Sequence, residues 1–335
     1  MANAIGLMIL IAASASLVWS GIRAWRIDNA LLRWAGVSLA GLLATAVSLL
    51  SMLVAVGLFR LHIRSAPVPN LKIASTPTRI QRGRAIDDSF CSACHSKTGH
   101  LTGDMDIGKD FPIPVGSFVS SNLTPAGQLS RWSNGEIFRA IRNGIDADGH
   151  WLTIMSYTNA GKLSDDDIQS VIAYLRSQPA AGTATANPPD QFNLLGVILL
   201  GAGMLPRGKP VFTGVITAPP KGPTVQYGEY ISWYLDCREC HGADLTGGLP
   251  GQLGPMGPGL NLIKEWKQAE FIATMRTGTD PRGHHLSEQM PWGPIGKMDD
   301  EELAALYEYL THLRAPSRHE TDIPGVPILG SSLRR

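Results

Sequence analysis

The sequence predicts an all-α protein in which two transmembrane helices precede two similar helical domains in tandem. Three observations carry that expectation. Two uncharged apolar runs, residues 1–22 and 34–59, open the chain. The motif C-x-x-C-H occurs twice, in CSACHS at 91–96 and CRECHG at 237–242, and uses all 4 cysteines. The stretches behind the two motifs also repeat each other in sequence, the mark of a duplicated unit.

At 335 residues there is room for two domains of ordinary size. A formal net charge of +1 lacks the basic excess of a nucleic-acid binder. A bilayer core of ~30 Å needs about 20 apolar residues as helix, so each leading run is long enough to span. A signal peptide is the other reading of the first run; ASAS at 13–16 suits cleavage, but a charged start is missing. Arg23, Arg26 and Arg33 lie between the runs, and Arg60, Arg64 and Lys72 follow, so basic residues alone leave the orientation undecided. Residues 1–64 form the expected two-helix anchor in the lipid bilayer.

Three chemistries use C-x-x-C. A zinc ribbon sets its knuckles about 15–20 residues apart, whereas Cys94 and Cys237 are separated by roughly 140. A thioredoxin-type motif needs a strand–helix alternation that neither segment shows. Covalent attachment of haem c remains: both thiols bind the ring, and the adjacent histidine becomes the proximal iron ligand. Cys91, Cys94 and His95 would hold one haem and Cys237, Cys240 and His241 the other, giving two covalently attached haem c groups.

The sixth ligand should lie well downstream. Residues 136–157, EIFRAIRNGIDADGHWLTIMSY, align with residues 270–292, EFIATMRTGTDPRGHHLSEQMPW. Arg142 matches Arg276, Gly144 Gly278, Asp146 Asp280, Gly149 Gly283 and His150 His284; with one residue inserted, Met155 falls on Met290. Met155 and Met290 are the expected axial methionines. His150, His284 and His285 are the rival ligands, since histidine also binds haem iron. Met256 and Met105 come too early, and Met275 and Met298 align with Ile141 and Leu163 as packing residues. Each block ends in a helix with an acidic first turn, which suits the positive end of the helix dipole. These closing helices present Ile168, Val171, Ile172 and Leu175 in one block and Leu303, Leu306 and Leu310 in the other at helical spacing.

Each repeat thus reads as helix, C-x-x-C-H, long loop, short helix, ligand loop and closing helix, an order that resembles class I cytochrome c domains. Residues 76–180 are similar to domains in the cytochrome c subunits of membrane-bound bacterial dehydrogenases for alcohols, gluconate and similar substrates. RGRAIDDSFCSACHS, PVGSFVSSNLTPAGQLSRWSNGEIFRAIRNGIDADG and IMSYTNAGKLSDDDIQSVIAYLRS carry that likeness. Residues 224–315 resemble related haem c domains through YGEYISWYLDCRECHGADLTGG and QMPWGPIGKMDDEELAALYEYL. The resemblance implies that the Pro258 carbonyl accepts the proximal histidine N–H in the second domain, with Pro114 a weaker candidate in the first. This chain departs from those subunits in having two motifs rather than three, two leading apolar helices, and Met-Ser-Tyr where they have Met-Pro-Tyr.

Haem c is attached outside the bacterial cytoplasmic membrane, so both domains are expected on the periplasmic side. Two uncleaved helices then leave Arg23 to Arg33 in a short inner loop. Residues 181–223 read as a linker whose apolar middle, 192–205, is too short to span. It could pack between the domains, which is the favoured reading, lie on the membrane, or dock a partner. The tail, 316–335, is uninformative. The expected function is electron relay, with no catalysis of its own, to a redox partner subunit: a dehydrogenase, a quinol-oxidising complex or an oxidase. A dihaem peroxidase is the alternative, but it needs a displaceable sixth ligand where each repeat offers a methionine.

Overall fold

The structure, a computed structural model, describes residues 2–96, 99–186, 189–250, 252 and 254–313. The expected tail and the last two residues of the expected second domain lie outside them. The described residues fall into two compact units that divide between Thr217 and Ala218.

In the first unit, α1 (Ala2–Ala24) and α2 (Ala30–His62) form an antiparallel hairpin, both helices long and apolar enough to cross a membrane. Small residues let the two backbones approach. A Cβ on Gly36 would lie 3.0 Å from that of Ala24, one on Gly21 would lie 3.4 Å from that of Ala40, and Ser14 and Ser48 share a 2.7 Å hydrogen bond. This is the packing chemistry of helices in lipid, where burial of apolar surface gives no drive to associate.

After an extended segment come α3 (Pro77–Ile86), a π-helical turn at Asp87–Cys91 and α4 (Ser92–His95). A long loop containing strand β1 (Gly116–Phe118) leads to α5 (Asn134–Asn143), the short α6 (Thr153–Tyr157) and the closing α7 (Asp165–Ser177). Ser164 caps α7 by accepting from the Asp167 N–H, and Ile168, Val171, Ile172 and Leu175 form its buried face. The second unit repeats the order with α9 (Val225–Tyr234), α10 (Cys237–His241), α11 (Gln268–Thr277), α12 (Trp292–Ile295) and the closing α13 (Asp300–Thr311), whose Leu303, Leu306 and Leu310 are buried.

In each repeat the first helix, α3 or α9, crosses the closing helix, α7 or α13, at a glycine. A Cβ on Gly83 would sit 1.9 Å from the Ser170 carbonyl oxygen and 2.8 Å from the Tyr174 Cβ. On Gly228 it would meet the Ala305 carbonyl at 1.9 Å and the Tyr309 Cβ at 2.8 Å. No other residue type permits this approach.

Two features go beyond the sequence-based expectation. The described residues are mostly helical but not all-α: β1 pairs antiparallel with β2 (Asp190–Phe192), Phe118 opposite Asp190. The linker also belongs largely to the first unit. Its apolar middle forms α8 (Leu194–Ala202), whose described packing is on α2 and the start of α1, a seat the sequence reading did not name. A Cβ on Gly57 would fall 2.0 Å from the Val197 carbonyl, and one on Gly201 would fall 1.9 Å from that of Leu53.

Gly228→Ala should destabilise the second unit by about 1–3 kcal/mol, the usual cost of overpacking, because the obstructing atom is backbone and cannot rotate away. Gly293→Ala, with nothing within 4 Å of the added carbon, is the control. Denaturant unfolding monitored at the haem would show a lowered midpoint for the first variant only.

Candidate haem-binding sites

Each C-x-x-C-H segment closes a short helix, so its two cysteines lie about one turn apart with the histidine behind them. The approach to that turn differs between the units. In the first, the π-helical turn widens the backbone just ahead of Ser92; such turns recur at functional sites. In the second, α9 stops and Asp236 takes a left-handed conformation, φ 60°, before Cys237. Burial pushes the Cys91 thiol well above its ordinary pKa, Asp87 adding to the effect, and raises Cys237 to about 12. The same cause raises Cys240.

The two histidines are oriented alike. His95 Nδ1 donates to the Ser121 carbonyl at 2.8 Å, and His241 Nδ1 donates to that of Pro258 at 2.7 Å. A proton held on Nδ1 leaves the Nε2 lone pair for a metal, and the backbone acceptor fixes the ring plane. Burial lowers both imidazole pKa values, opposed by these hydrogen bonds, and so favours the neutral form that binds iron. The Pro258 expectation holds. Pro114 does not play that part in the first unit; its carbonyl accepts instead from Asn193 Nδ2 at 2.7 Å, and Ser121 takes the role.

The backbone around each motif is equally constrained. The His95 carbonyl accepts from the Gly103 N–H and that of His241 from the Gly247 N–H, both at 2.8 Å. In the second unit Gly257 donates to the Cys240 carbonyl at 2.8 Å, and a Cβ on Gly257 would lie 2.7 Å from His241 Nδ1. Glycine at 257 therefore gives the imidazole its place beside Pro258.

The repeat seen in sequence survives at the level of single hydrogen bonds. Gly144 and Gly278 end α5 and α11 in left-handed conformations, φ 61° and 69°. Asp146 Oδ1 accepts the His150 N–H at 2.7 Å, as Asp280 Oδ1 accepts the His284 N–H at 2.8 Å. Arg142 reaches Asp165 at 2.6 Å and Arg276 reaches Asp300 at 2.8 Å, so each pairs with the first residue of its closing helix. His150 is held through Nδ1 by Asp146 Oδ2 at 3.0 Å, while His284 and His285 are exposed, His285 against Thr279 Oγ1. These histidines serve turns. Met275 and Met298 are buried, as expected of packing residues, and Met256 is exposed.

Met155 sits at the middle of α6, and Met290 lies in the turn leading into α12, where its carbonyl accepts the Trp292 N–H at 2.7 Å. Both are partly buried, and both turns rest over the left-handed glycine of the preceding helix: Ser156 covers Gly144, and the Trp292 ring covers Gly278. Among the described residues no hydrogen bond ties either methionine's turn directly to its motif histidine.

Sequence reasoning missed the part played by the linker in the first unit. Asn122 donates to the Ala181 carbonyl at 2.8 Å and to that of Thr183 at 3.0 Å, and its own N–H reaches Thr185 Oγ1 at 2.8 Å. The linker thereby pins the loop that offers Ser121 to His95. It holds α6 as well. Asp190 caps the helix by accepting from the Thr153 N–H, Lys209 N–H donates to the Ser156 carbonyl at 2.8 Å, and Tyr157 Oη donates to the Pro206 carbonyl at 2.7 Å. The signal in the sequence is thin: Asp190 and Lys209 are two of only four charged residues in a linker dominated by Pro, Gly, Ala, Thr and apolar side chains.

The comparisons agree with this geometry. Residues 78–175 match the family model described as cytochrome c oxidase, cbb3-type, subunit III, and residues 225–314 match that described as cytochrome c. One of the subunits of nicotinate dehydrogenase from Pseudomonas putida is 28% identical over 312 residues, covering 84% of this chain and 25% of that protein. The fructose dehydrogenase cytochrome subunit of Gluconobacter japonicus is 27% identical over 191 residues, covering 54% of this chain and 38% of the relative. The gluconate 2-dehydrogenase cytochrome c subunit of Pantoea cypripedii is 31% identical over 116 residues, covering 30% and 26%. The chain spans only about a quarter to two fifths of the length of these relatives.

Burial raises the Asp190 carboxyl from 3.8 to about 6, against the backbone N–H groups that lower it. A raised folded-state value means that this group favours the fold below about pH 4 and loses that contribution as pH rises through about 6. Asp190→Asn keeps an acceptor for Thr153 and removes the charge. The variant should therefore gain thermal stability relative to the parent between pH 5 and pH 7, and a constant difference across that range would count against this account.

Gly257→Ala should displace the His241 ring, with a shifted haem spectrum in the second domain and none in the first. Residues 78–175 and 225–314 are two cytochrome c domains, and the chain is a relative of the cytochrome c subunits of fructose, gluconate and alcohol dehydrogenases.

Proposed function

We propose that this chain is a membrane-anchored dihaem cytochrome c that relays electrons on the periplasmic face of a bacterial cytoplasmic membrane. Its partner is the catalytic subunit of a dehydrogenase complex. The observation that carries the reading is the matched pair of motif histidines, each with Nδ1 on a backbone carbonyl and Nε2 left for iron.

The residues fit the group. Cys91 and Cys94 would hold the first haem, and Cys237 and Cys240 the second, through thioether bonds that bring its iron to the adjacent histidine. Haem supplies one-electron iron chemistry, and its potential is set by axial ligands, hydrogen bonding and burial. His95 and His241 would hold the iron as neutral imidazoles, and Met155 and Met290 would supply its thioether ligands. Methionine in that place raises the potential and fills the coordination sphere, which suits electron transfer over substrate binding at iron. The carbonyls of Ser121 and Pro258 keep each proximal ring from turning, and Asp190, Pro206 and Lys209 keep α6 in position.

α1 and α2 span the bilayer, with the charged turn between them on the inner side and both haem domains outside, where haem c is attached. The dehydrogenase setting rests on the names of the relatives, three of which are cytochrome subunits of sugar, sugar-acid or alcohol dehydrogenases.

Purifying the complex from gently solubilised membranes and identifying what accompanies it tests the partner. A dehydrogenase subunit is expected; an oxidase or a quinol-oxidising subunit in its place would overturn that assignment. Cys237→Ala with Cys240→Ala should leave one covalent haem per chain by mass and by haem quantitation, and two would refute the attachment sites. Met290→Ala should remove low-spin Met/His character from one haem only.

A further inference from the structure

The helix α8 has no part in either haem site, and its composition is out of keeping with a linker. Residues 191–206 carry no charge, and α8 itself consists of Leu, Ile, Val, Gly and Ala. Nine residues of helix reach only about 14 Å, half of a bilayer core. One face is closed against the hairpin, with Val197 and Leu200 fully buried against α2 at the Gly57 and Gly201 crossing. The other face is open: Leu194 is 37% exposed, Leu195 43% and, just past the helix, Met204 71%.

The seat of α8 fixes its depth. It meets the first turns of α1 and the last turns of α2, since a Cβ on Gly6 would lie 3.5 Å from Leu194 Cδ1, and Asn3 Nδ2 donates to the Phe192 carbonyl at 2.7 Å. Those turns belong to the uncharged runs of both helices. Both ends of α8 are also satisfied from within the protein, as backbone in hydrocarbon must be. Asn193 caps the start through the Gly196 N–H at 2.9 Å. Arg60 donates to the Leu200 carbonyl at the other end, where the Met204 N–H reaches the Leu199 carbonyl at 2.9 Å. Arg60 and the exposed Arg207 flank this end, where basic side chains meet headgroup phosphates.

We propose that α8 is a third membrane element, a short helix lying in the outer leaflet against the hairpin, with its Leu194, Leu195 and Met204 face taking lipid acyl chains. The inference rests on reading α1 and α2 as bilayer spans. It gives the first haem domain a second fixed point in the membrane, because α8 follows β2 directly and β2 carries Asp190.

The native cysteines are committed to haem, so an introduced cysteine is the sole site for a nitroxide label. Leu195→Cys, Leu42→Cys on the exposed face of α2 and Arg282→Cys on the surface of the second domain are each labelled in the full haem-loaded chain. The protein is then reconstituted in phosphatidylethanolamine–phosphatidylglycerol vesicles, and collision of the label with oxygen is compared with collision with a water-soluble nickel chelate. The oxygen-to-nickel ratio at 195 should exceed that at 282 several-fold and fall below that at 42. A ratio at 195 equal to that at 282, with 42 in lipid, overturns the inference alone. Exclusion of both reagents at 195 overturns it too, since protein would then cover the face. If 42 also reads as water, the anchor reading fails and the inference with it.

Discussion

The contact on which each cytochrome domain depends is a crossing in which the backbone of a glycine lies directly on a carbonyl of the closing helix. α3 meets α7 where Gly83 lies on the Ser170 carbonyl, and α9 meets α13 where Gly228 lies on that of Ala305. Because the first helix of each pair runs into C-x-x-C-H, this crossing sets where the haem-binding turn lies relative to the closing helix. The closing helix in turn braces the segment that carries Met155 or Met290, since the Asp at its start pairs with Arg142 or Arg276 from the helix before that methionine. Arg142 also donates to the Gly161 and Leu163 carbonyls, each at 2.6 Å, and its side chain is almost wholly buried. A buried guanidinium is tolerated only when carboxylate and carbonyl acceptors replace its hydration. Arg276 is more exposed, and its ion pair is worth correspondingly less.

Around this shared frame the two domains solve the remaining problem differently. The second uses its own loop, in which Pro258 accepts from His241 and Gly257 donates to the Cys240 carbonyl. The first draws on chain from outside the expected domain. Linker residues pin Asn122 beside the Ser121 acceptor, and the same linker caps and braces α6. Arg64, two residues beyond α2, donates to the Asn143 and Lys209 carbonyls, both at 2.7 Å, and so joins α5, the linker and the hairpin. The surroundings of His95 and of α6 are therefore assembled from the hairpin exit, the domain and the linker together.

This contrast explains what could be read from the sequence. The motifs, the repeated Arg-Gly-Asp-Gly-His pattern and the acidic starts of the closing helices are local signals, and each became a local hydrogen bond or cap. The Pro258 acceptor was legible because it lies in the same short loop as its partner. Ser121 was not, because nothing in VSSNLT shows which carbonyl meets His95 once the linker has folded back over it. The glycine crossings had a faint signal, a glycine eight or nine residues ahead of each first cysteine with a tyrosine in each closing helix, visible only when the two repeats are compared. The seat of α8 depends on contacts more than a hundred residues apart in sequence, beyond the reach of periodicity.

Asp190 shows what holding the first site costs. Its carboxylate faces the N-terminus of α6, where backbone N–H groups and the helix dipole favour negative charge. Those contributions alone would lower its pKa. The value is instead raised to about 6, so desolvation outweighs them, and the ionised form costs the fold on the order of 3 kcal/mol at neutral pH. Asparagine would cap the same helix without that cost. An acid there holds α6 through charge-assisted hydrogen bonds at the expense of overall stability, the exchange expected of a residue that positions the segment carrying Met155. Its place on β2, two residues before the Phe192 carbonyl that accepts from Asn3, makes the same strand that caps α6 the one seated on the hairpin.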